Sequence, residues 1–174
     1  MGHNRLHETV LFARQTLESY ISLRPEEFGH PDRHRLECCC GIAAWFVCRT
    51  LWRIRGVPSL LVFGSYKKND HCWTELADGT YIDITATQFE KRYSAVEIIE
   101  AETARAYGFR ANLTGVDAYE HICGWDPGPL LNGPALARFA DRRTNPKVLA
   151  VRGRPRHYGA GFGRVPREGH RARE

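Results

Sequence analysis

The fold of this chain is decided by one stretch, His71-Cys-Trp-Thr-Glu-Leu-Ala-Asp-Gly-Thr-Tyr-Ile-Asp-Ile-Thr-Ala86. β-Branched and aromatic residues lie on both sides of Asp78-Gly79, a dipeptide typical of the tight turn between two antiparallel strands. The apolar run Ser59–Tyr66 precedes it and indicates a buried strand, with a loop over Lys67–Asp70 between the two. The sequence therefore predicts an antiparallel sheet built around this hairpin.

The register of the hairpin decides which polar side chains meet. A two-residue turn at Asp78-Gly79 places Asp83 on the face opposite His71. A three-residue loop ending at Gly79 sets Trp73 opposite Asp83, and His71 and Asp83 then share one face as diagonal neighbours. Because glycine is preferred at the third position of such a loop, Gly79 favours the second register.

Helices are predicted before and after the hairpin. Apolar residues at three- and four-residue spacing over 5–21 predict an amphipathic helix. A second helix is predicted from about Cys40 to Arg55, because Gly56 and Pro58 follow it. Weaker signals predict a strand leading into a short helix between Ser94 and Gly108, and short helices at Val116–Gly124 and Gly133–Arg143. The predicted fold class is α+β, with the second helix packed on the antiparallel sheet.

Length and charge divide the chain into one domain and a tail. Its 174 residues, 43% of them hydrophobic, suit a single globular domain, which we place at 1–151. Residues 147–174 carry a net charge of +6, against +5 for the whole chain, so the remainder is close to neutral. This glycine- and arginine-rich segment has too little apolar surface to fold, which predicts a flexible basic tail at 152–174. We favour a tail that is a solvated extension, and the alternative is a tail that binds nucleic acid or an acidic partner.

The apolar runs and the cysteines indicate the cellular compartment in which the protein is expected. The longest apolar runs, Cys38–Cys48 and Leu60–Gly64, are far shorter than the ~20 residues of a membrane span. The N-terminal residues lead into no apolar segment of the kind found in a secretory signal, so no such signal is predicted. We therefore expect a cytoplasmic protein without a membrane partner, its six cysteines reduced. The run Cys38-Cys39-Cys40 and the later His71-Cys72 lack the paired spacing of zinc ligands, so no metal is predicted.

Cys40 is the candidate nucleophile among the three adjacent cysteines. On a helical wheel it lies on the apolar face, within about 40° of Ala44, Val47, Leu51 and Ile54. Cys38 falls on the side of the helix's arginines, and Cys39 falls on a flank. Cys40 also lies in the first turn, where unpaired N–H groups and the helix dipole lower the pKa of a thiol. The alternative is that Cys40 is a small core residue without chemistry.

A catalytic cysteine needs a base to accept its proton and a group that holds this base in one tautomer. In the three-residue register, His71 supplies the base and Asp83 lies within hydrogen-bonding reach of it. Glu75 shares that face but lies ~13 Å along the strand, and Asp70 points away. The positions therefore favour Asp83 over the other carboxylates as the partner of His71.

An ordered set of motifs in this region resembles a known superfamily. The set comprises Cys40 at a helix start, Ala44, Gly56-Val-Pro58, a hydrophobic strand with Gly64, His71-x-Trp73-x-Glu75 and Asp83-x-Thr85. Over residues 38–89 it resembles the transglutaminase-like superfamily, which has a papain-type architecture. The resemblance implies a triad of Cys40 as nucleophile, His71 as general base and acid, and Asp83 as the residue that orients His71. The chain departs from the family at Cys38, where glycine is frequent, and at Ile84, where proline is usual.

The expected chemistry is thiol-dependent acyl transfer through a covalent intermediate on Cys40. We expect a peptide, amide or ester substrate, with either hydrolysis, as in a cysteine protease or amidase, or transfer to an amine acceptor. No metal or organic cofactor is expected. Gln88 is a candidate for a second oxyanion donor beside the Cys40 amide, or else merely follows a strand end. The alternative function is a non-catalytic binding module of the same fold that uses its basic tail.

Overall fold

The computed structural model describes residues 3–28, 35–90, 93–125 and 127–144. The predicted tail at 152–174 and the predicted domain boundary at 151 lie outside these residues. Within them the chain forms helices and an antiparallel sheet, so the α+β class predicted from the sequence is confirmed.

Along the described chain two helices come first, four strands follow, and one strand lies among the remaining helices. The helices are α1 (His3–Ser22), α2 (Cys40–Arg55), α3 (Ala101–Tyr107), α4 (Gly115–Trp125), α5 (Gly128–Leu131) and α6 (Gly133–Thr144), with short 3-10 turns at Pro25–Glu27 and Ala86–Gln88. The strands are β1 (Ser59–Tyr66), β2 (Asn69–Leu76), β3 (Tyr81–Asp83), β4 (Glu97–Ile99) and β5 (Phe109–Thr114). They form one sheet in the order β4-β3-β2-β1-β5, and each neighbouring pair is antiparallel.

Helix α2 has the bounds that the sequence predicts. It ends where Gly56 adopts a left-handed conformation with φ of 63°, and the Gly56 N–H donates to the Trp52 carbonyl. The predicted inward face is buried from Cys40 to Leu51. Ile54 was expected on the same face, and that prediction is wrong, since Ile54 is 40% exposed. The whole last turn, residues 52–55, is exposed, so the helix extends past the surface that it packs on.

The central hairpin adopts the three-residue register. Thr74 pairs with Ile82 and Glu75 with Tyr81, and the loop closes where the Gly79 N–H donates to the Leu76 carbonyl over 2.9 Å. Gly79 has a φ of 83°, a conformation that glycine adopts without strain. The register prediction is therefore confirmed. The strand is shorter than expected, because β3 ends at Asp83 and the 3-10 turn follows.

Two features of the sheet differ from the sequence predictions. The loop expected over Lys67–Asp70 is a two-residue turn, because β2 already begins at Asn69. Strand β5 was not predicted, although Phe109–Thr114 alternates apolar and polar residues; it is a short strand in which only Phe109 is buried. It lies against Gly64, where a Cβ atom would come within 2.1 Å of the Arg110 carbonyl oxygen. The glycine lets β5 approach β1 this closely.

The sheet separates two packed layers. Alternation along β1 and β2 turns Leu61, Phe63 and Cys72 towards α2 and α4, where they cluster with Cys40. The opposite face carries an aromatic layer that includes Trp73, Tyr66, Tyr81 and Phe109. A third cluster joins α1, α2 and α6 above the first face. The start of α2 thus lies against β2, which carries both Cys72 and His71.

Candidate active site

The start of α2 sets the position of three adjacent cysteines. Cys40 is the first residue of the helix, and Cys39 before it provides no side-chain cap. Cys39 and Cys40 are buried, whereas Cys38 is exposed. Cys38 has a φ of 57°, the left-handed conformation that glycine favours. The geometry therefore buries Cys40 against the sheet, at a helix start that the Cys39 side chain does not cap.

His71 and Asp83 meet where β2 and β3 stop pairing. The Nε2 atom of His71 lies 2.6 Å from Oδ2 of Asp83, and both side chains are buried. The other carboxylate oxygen, Oδ1, accepts hydrogen bonds from the Thr85 N–H at 2.6 Å and the Thr85 hydroxyl at 2.9 Å. The Asp-x-Thr spacing thus fixes the carboxylate. Since Nε2 donates to Asp83, Nδ1 is the ring nitrogen left for another partner.

The second ring nitrogen of His71 is the one available to Cys40. Nδ1 is buried and has no aligned hydrogen-bond partner among the described residues. The Cys40 thiol is close enough to interact with the ring as a polar contact and through charge. The structure therefore brings together the three residues that the sequence predicted, in the order thiol, imidazole, carboxylate.

The surroundings of Cys40 favour its thiolate. The largest effect is a hydrogen bond from the Cys72 thiol, which burial of the sulfur opposes and which His71 and the Cys72 backbone N–H reinforce. Together they lower the pKa of Cys40 from 9.0 to about 5.

His71 shifts in the complementary direction. Burial disfavours its charged form, but the charge and hydrogen bond of Asp83, together with Cys40, outweigh it and raise the pKa of His71 to about 10. Between these two values the site holds a thiolate beside an imidazolium. That is the charge state in which a thiol is nucleophilic and a proton is ready for a leaving group.

Cys72 is a site residue that the sequence analysis did not single out. Because alternate residues of a strand face opposite ways, Cys72 points to the α2 side of the sheet while its neighbour His71 points to the aromatic side. The available signal was its position next to His71 on the strand, since a neighbour of His71 must face the other side of the sheet.

Two arginines hold the segment that follows Asp83. Arg14 of α1 is 2% exposed and donates to the carbonyls of Ile84 and, at 2.9 Å, Ala95. Arg35 donates to the Thr87 carbonyl at 3.0 Å and the Gln88 carbonyl at 2.7 Å. Neither arginine was predicted from the sequence, because the carbonyls that they contact lie 52 to 81 residues further along the chain.

A cleft of about 420 Å³ borders this site. It is lined by Glu37, Cys38, Asn69, Gln88 and Phe89. The ring of Phe89 meets that of His71 edge-on at 4.7 Å between centroids, and Cys38 lies two residues before Cys40. The lining of the cleft therefore includes a ring that contacts His71 and a chain neighbour of Cys40.

Other features of the molecule lie apart from the triad. Asp70 is exposed and Glu75 is partly buried, and neither is bonded to His71 in the structure. A groove of about 490 Å³ near Leu6, Pro58 and Asp78 contains none of the predicted site residues. Within the described ranges, no three histidine, cysteine or acidic side chains are placed to hold a metal ion. None of the described helices has both the length and the apolar character of a membrane span.

Comparison with protein-family models, with curated proteins and with solved structures finds no match to this chain.

Proposed function

We propose that this chain is an enzyme that catalyses thiol-dependent acyl transfer on an amide or ester, with Cys40 as nucleophile. The observation that carries the proposal is the hydrogen bond of 2.6 Å between buried His71 and Asp83, with the remaining nitrogen of His71 available to Cys40. A structural cysteine needs neither an ionised imidazole nor a carboxylate fixed by a neighbouring threonine.

The proposed reaction has two halves. In the first, the Cys40 thiolate attacks the substrate carbonyl, the carbon–nitrogen or carbon–oxygen bond breaks, and protonated His71 gives its proton to the departing amine or alcohol. In the second, His71 removes a proton from water or an amine, which attacks the thioester and releases Cys40. Water gives hydrolysis, and an amine gives a new amide.

The fold that we propose is of the transglutaminase-like, papain-type kind. Its support is the order of the elements: a helix that begins with the cysteine, then adjacent antiparallel strands with the histidine and the aspartate. Gly64 and Trp73, two other residues of the resemblance, contact each other, since a Cβ on Gly64 would lie 2.7 Å from the Trp73 ring.

An acyl-enzyme trapped with an activated ester tests the proposal. Wild-type protein is mixed with p-nitrophenyl acetate, quenched in acid, digested and mapped by mass spectrometry. We expect an acetyl group on Cys40, slower acetylation in His71→Ala, and none at this position in Cys40→Ala. Acetate formed beyond the amount seen with Cys40→Ala indicates hydrolysis, and N-methylacetamide formed beyond that amount after addition of methylamine indicates transfer. A protein acetylated only on Cys38 or Cys39, or on no cysteine, would contradict the proposal.

A further inference from the structure

The proposed reaction creates a negative charge that the triad does not neutralise. When Cys40 attacks, the substrate's carbonyl oxygen becomes an oxyanion, and hydrogen-bond donors placed around it accelerate the step. The Cys40 N–H, in the uncapped first turn of α2, is one donor. A second donor must come from a segment that faces the start of α2 across the cleft.

Gln88 has an amide nitrogen suited to this role. Its Nε2 atom is buried and has no hydrogen-bond partner among the described residues. Gln88 and Cys38 line the same cleft of about 420 Å³, from opposite segments of the chain. An amide nitrogen left unpaired inside a protein costs stability, so a bound ligand that accepts from it would be favoured.

Hydrogen bonds hold the backbone of Gln88 in place. Its N–H donates to the Thr85 carbonyl at 2.9 Å, and its carbonyl accepts from Arg35 at 2.7 Å. The same short segment contains Thr85, which fixes the Asp83 carboxylate. The turn that positions the triad's carboxylate therefore also positions the Gln88 side chain.

We infer that Gln88 is a catalytic residue whose Nε2 donates a hydrogen bond to the oxyanion formed when Cys40 attacks the substrate carbonyl. This inference rests on the proposed function. The bond forms as the carbonyl oxygen gains its negative charge and is lost when the carbon–oxygen double bond returns, so Gln88 donates no proton and is unchanged after each cycle.

Two reactions of the Cys40 thiol distinguish an oxyanion donor from a residue that acts on the thiol itself or on the fold. Acylation by p-nitrophenyl acetate passes through an oxyanion. Alkylation by iodoacetamide displaces iodide at a saturated carbon and forms none. Gln88→Met keeps the volume of the side chain and removes the donor, and Gln88→Ala removes both. Gln15→Met, the same exchange at an exposed position of α1, is the matched control.

We expect acylation of Cys40 to slow by about 10²–10³-fold in both Gln88 variants, while alkylation stays within about twofold of wild type. Unchanged acylation in Gln88→Met, with acylation intact in wild type, would overturn the role of Gln88 and leave the proposed function standing. An equal loss of both reactions would also overturn it, because Gln88 would then act on the thiol or the fold. A wild-type protein that is alkylated at Cys40 but never acylated would overturn the proposed function, and this inference with it.

Discussion

At the scale of single residues, the ionisation of a buried thiol is the feature that requires explanation. Cys40 is 4% exposed, and burial alone would keep its proton in place. The site supplies donors on two sides: Cys72, through its thiol and its N–H, and the imidazolium of His71. In turn, the imidazolium is stabilised by Asp83. Removing any one of them should therefore change the reactivity of Cys40 in a predictable direction.

Alkylation of Cys40 should follow its low pKa. Because the thiolate is the reactive form, the rate with iodoacetamide should rise with pH around the pKa of about 5 and then level off. Acyl transfer should rise over the same range and fall as His71 loses its proton near pH 10. In His71→Ala the thiolate loses its cationic neighbour, so the alkylation profile should move to higher pH.

Peptide mapping of the alkylated protein supplies the control for that profile. Cys48 is an internal reference, since burial raises the pKa of its thiol and it should react slowly at pH 6. Faster labelling of Cys38 or Cys39 than of Cys40 would place the nucleophile elsewhere in the triplet.

The Cys72 thiol should tune the nucleophile through its hydrogen bond to the Cys40 sulfur. Bonds to ionised groups contribute about 1.5–3 kcal/mol, so Cys72→Ala should slow alkylation of Cys40 at pH 5 by about tenfold or more. Cys72→Ser keeps a donor at the same place and should restore most of the rate. Pseudo-first-order alkylation rates of the three proteins test this. Equal rates in the alanine and serine variants would show that the Cys72 side chain does not stabilise the thiolate.

At the scale of secondary-structure elements, the triad depends on the hairpin register. A slip of one residue would turn Asp83 to the other face of the sheet and break its bond to His71. Gly79 holds the register, with a φ of 83° and an Ala101 methyl at 3.5 Å from where its Cβ would lie. Gly79→Val should lower activity about as much as Asp83→Ala, because a β-branched residue in this conformation costs about 1–2 kcal/mol and favours another register.

Gly56→Val is the matched control for the hairpin. Gly56 also has a positive φ, 63°, with open space where its Cβ would lie, but it ends α2 at the opposite end from Cys40. In a thermal melt, Gly56→Val should lose about as much stability as Gly79→Val, but it should keep most of its activity. Full turnover in Gly79→Val would show that the register does not depend on this glycine.

The sequence predicts elements whose signals are local and misses those set by distant contacts. The bounds of α2 and the three-residue loop follow from Gly56 and Gly79, whose conformational needs are visible in the chain itself. Strand β5 was missed because it is a short edge strand held by pairing with β1, and only Phe109 in it is buried. Cys72 and Arg14 were missed for the same reason, since their roles depend on which segments meet in space.

At the scale of the whole molecule, the candidate site is built from one continuous part of the chain with a few supports from outside. Cys40, His71, Asp83 and Gln88 all lie within residues 40–88, and Arg14 of α1 supports the segment after Asp83. Helices α4 and α6 pack against this part without contributing a residue of the triad. The chemistry should therefore be independent of the basic residues at 152–174.

A chain truncated to residues 1–151 tests this independence and separates the enzyme from the binding module. We expect the truncated chain to be acylated by p-nitrophenyl acetate at a rate within about twofold of the full chain, because no triad residue is removed. If the tail binds nucleic acid, binding of a DNA oligonucleotide should weaken steeply with salt and disappear on truncation, since the removed residues 152–174 carry seven arginines and two glutamates, a net charge of +5. Loss of acylation in the truncated chain, with Cys40 still alkylated normally, would show that the tail takes part in the reaction. Salt-sensitive DNA binding by a full chain that is not acylated would favour the binding module instead.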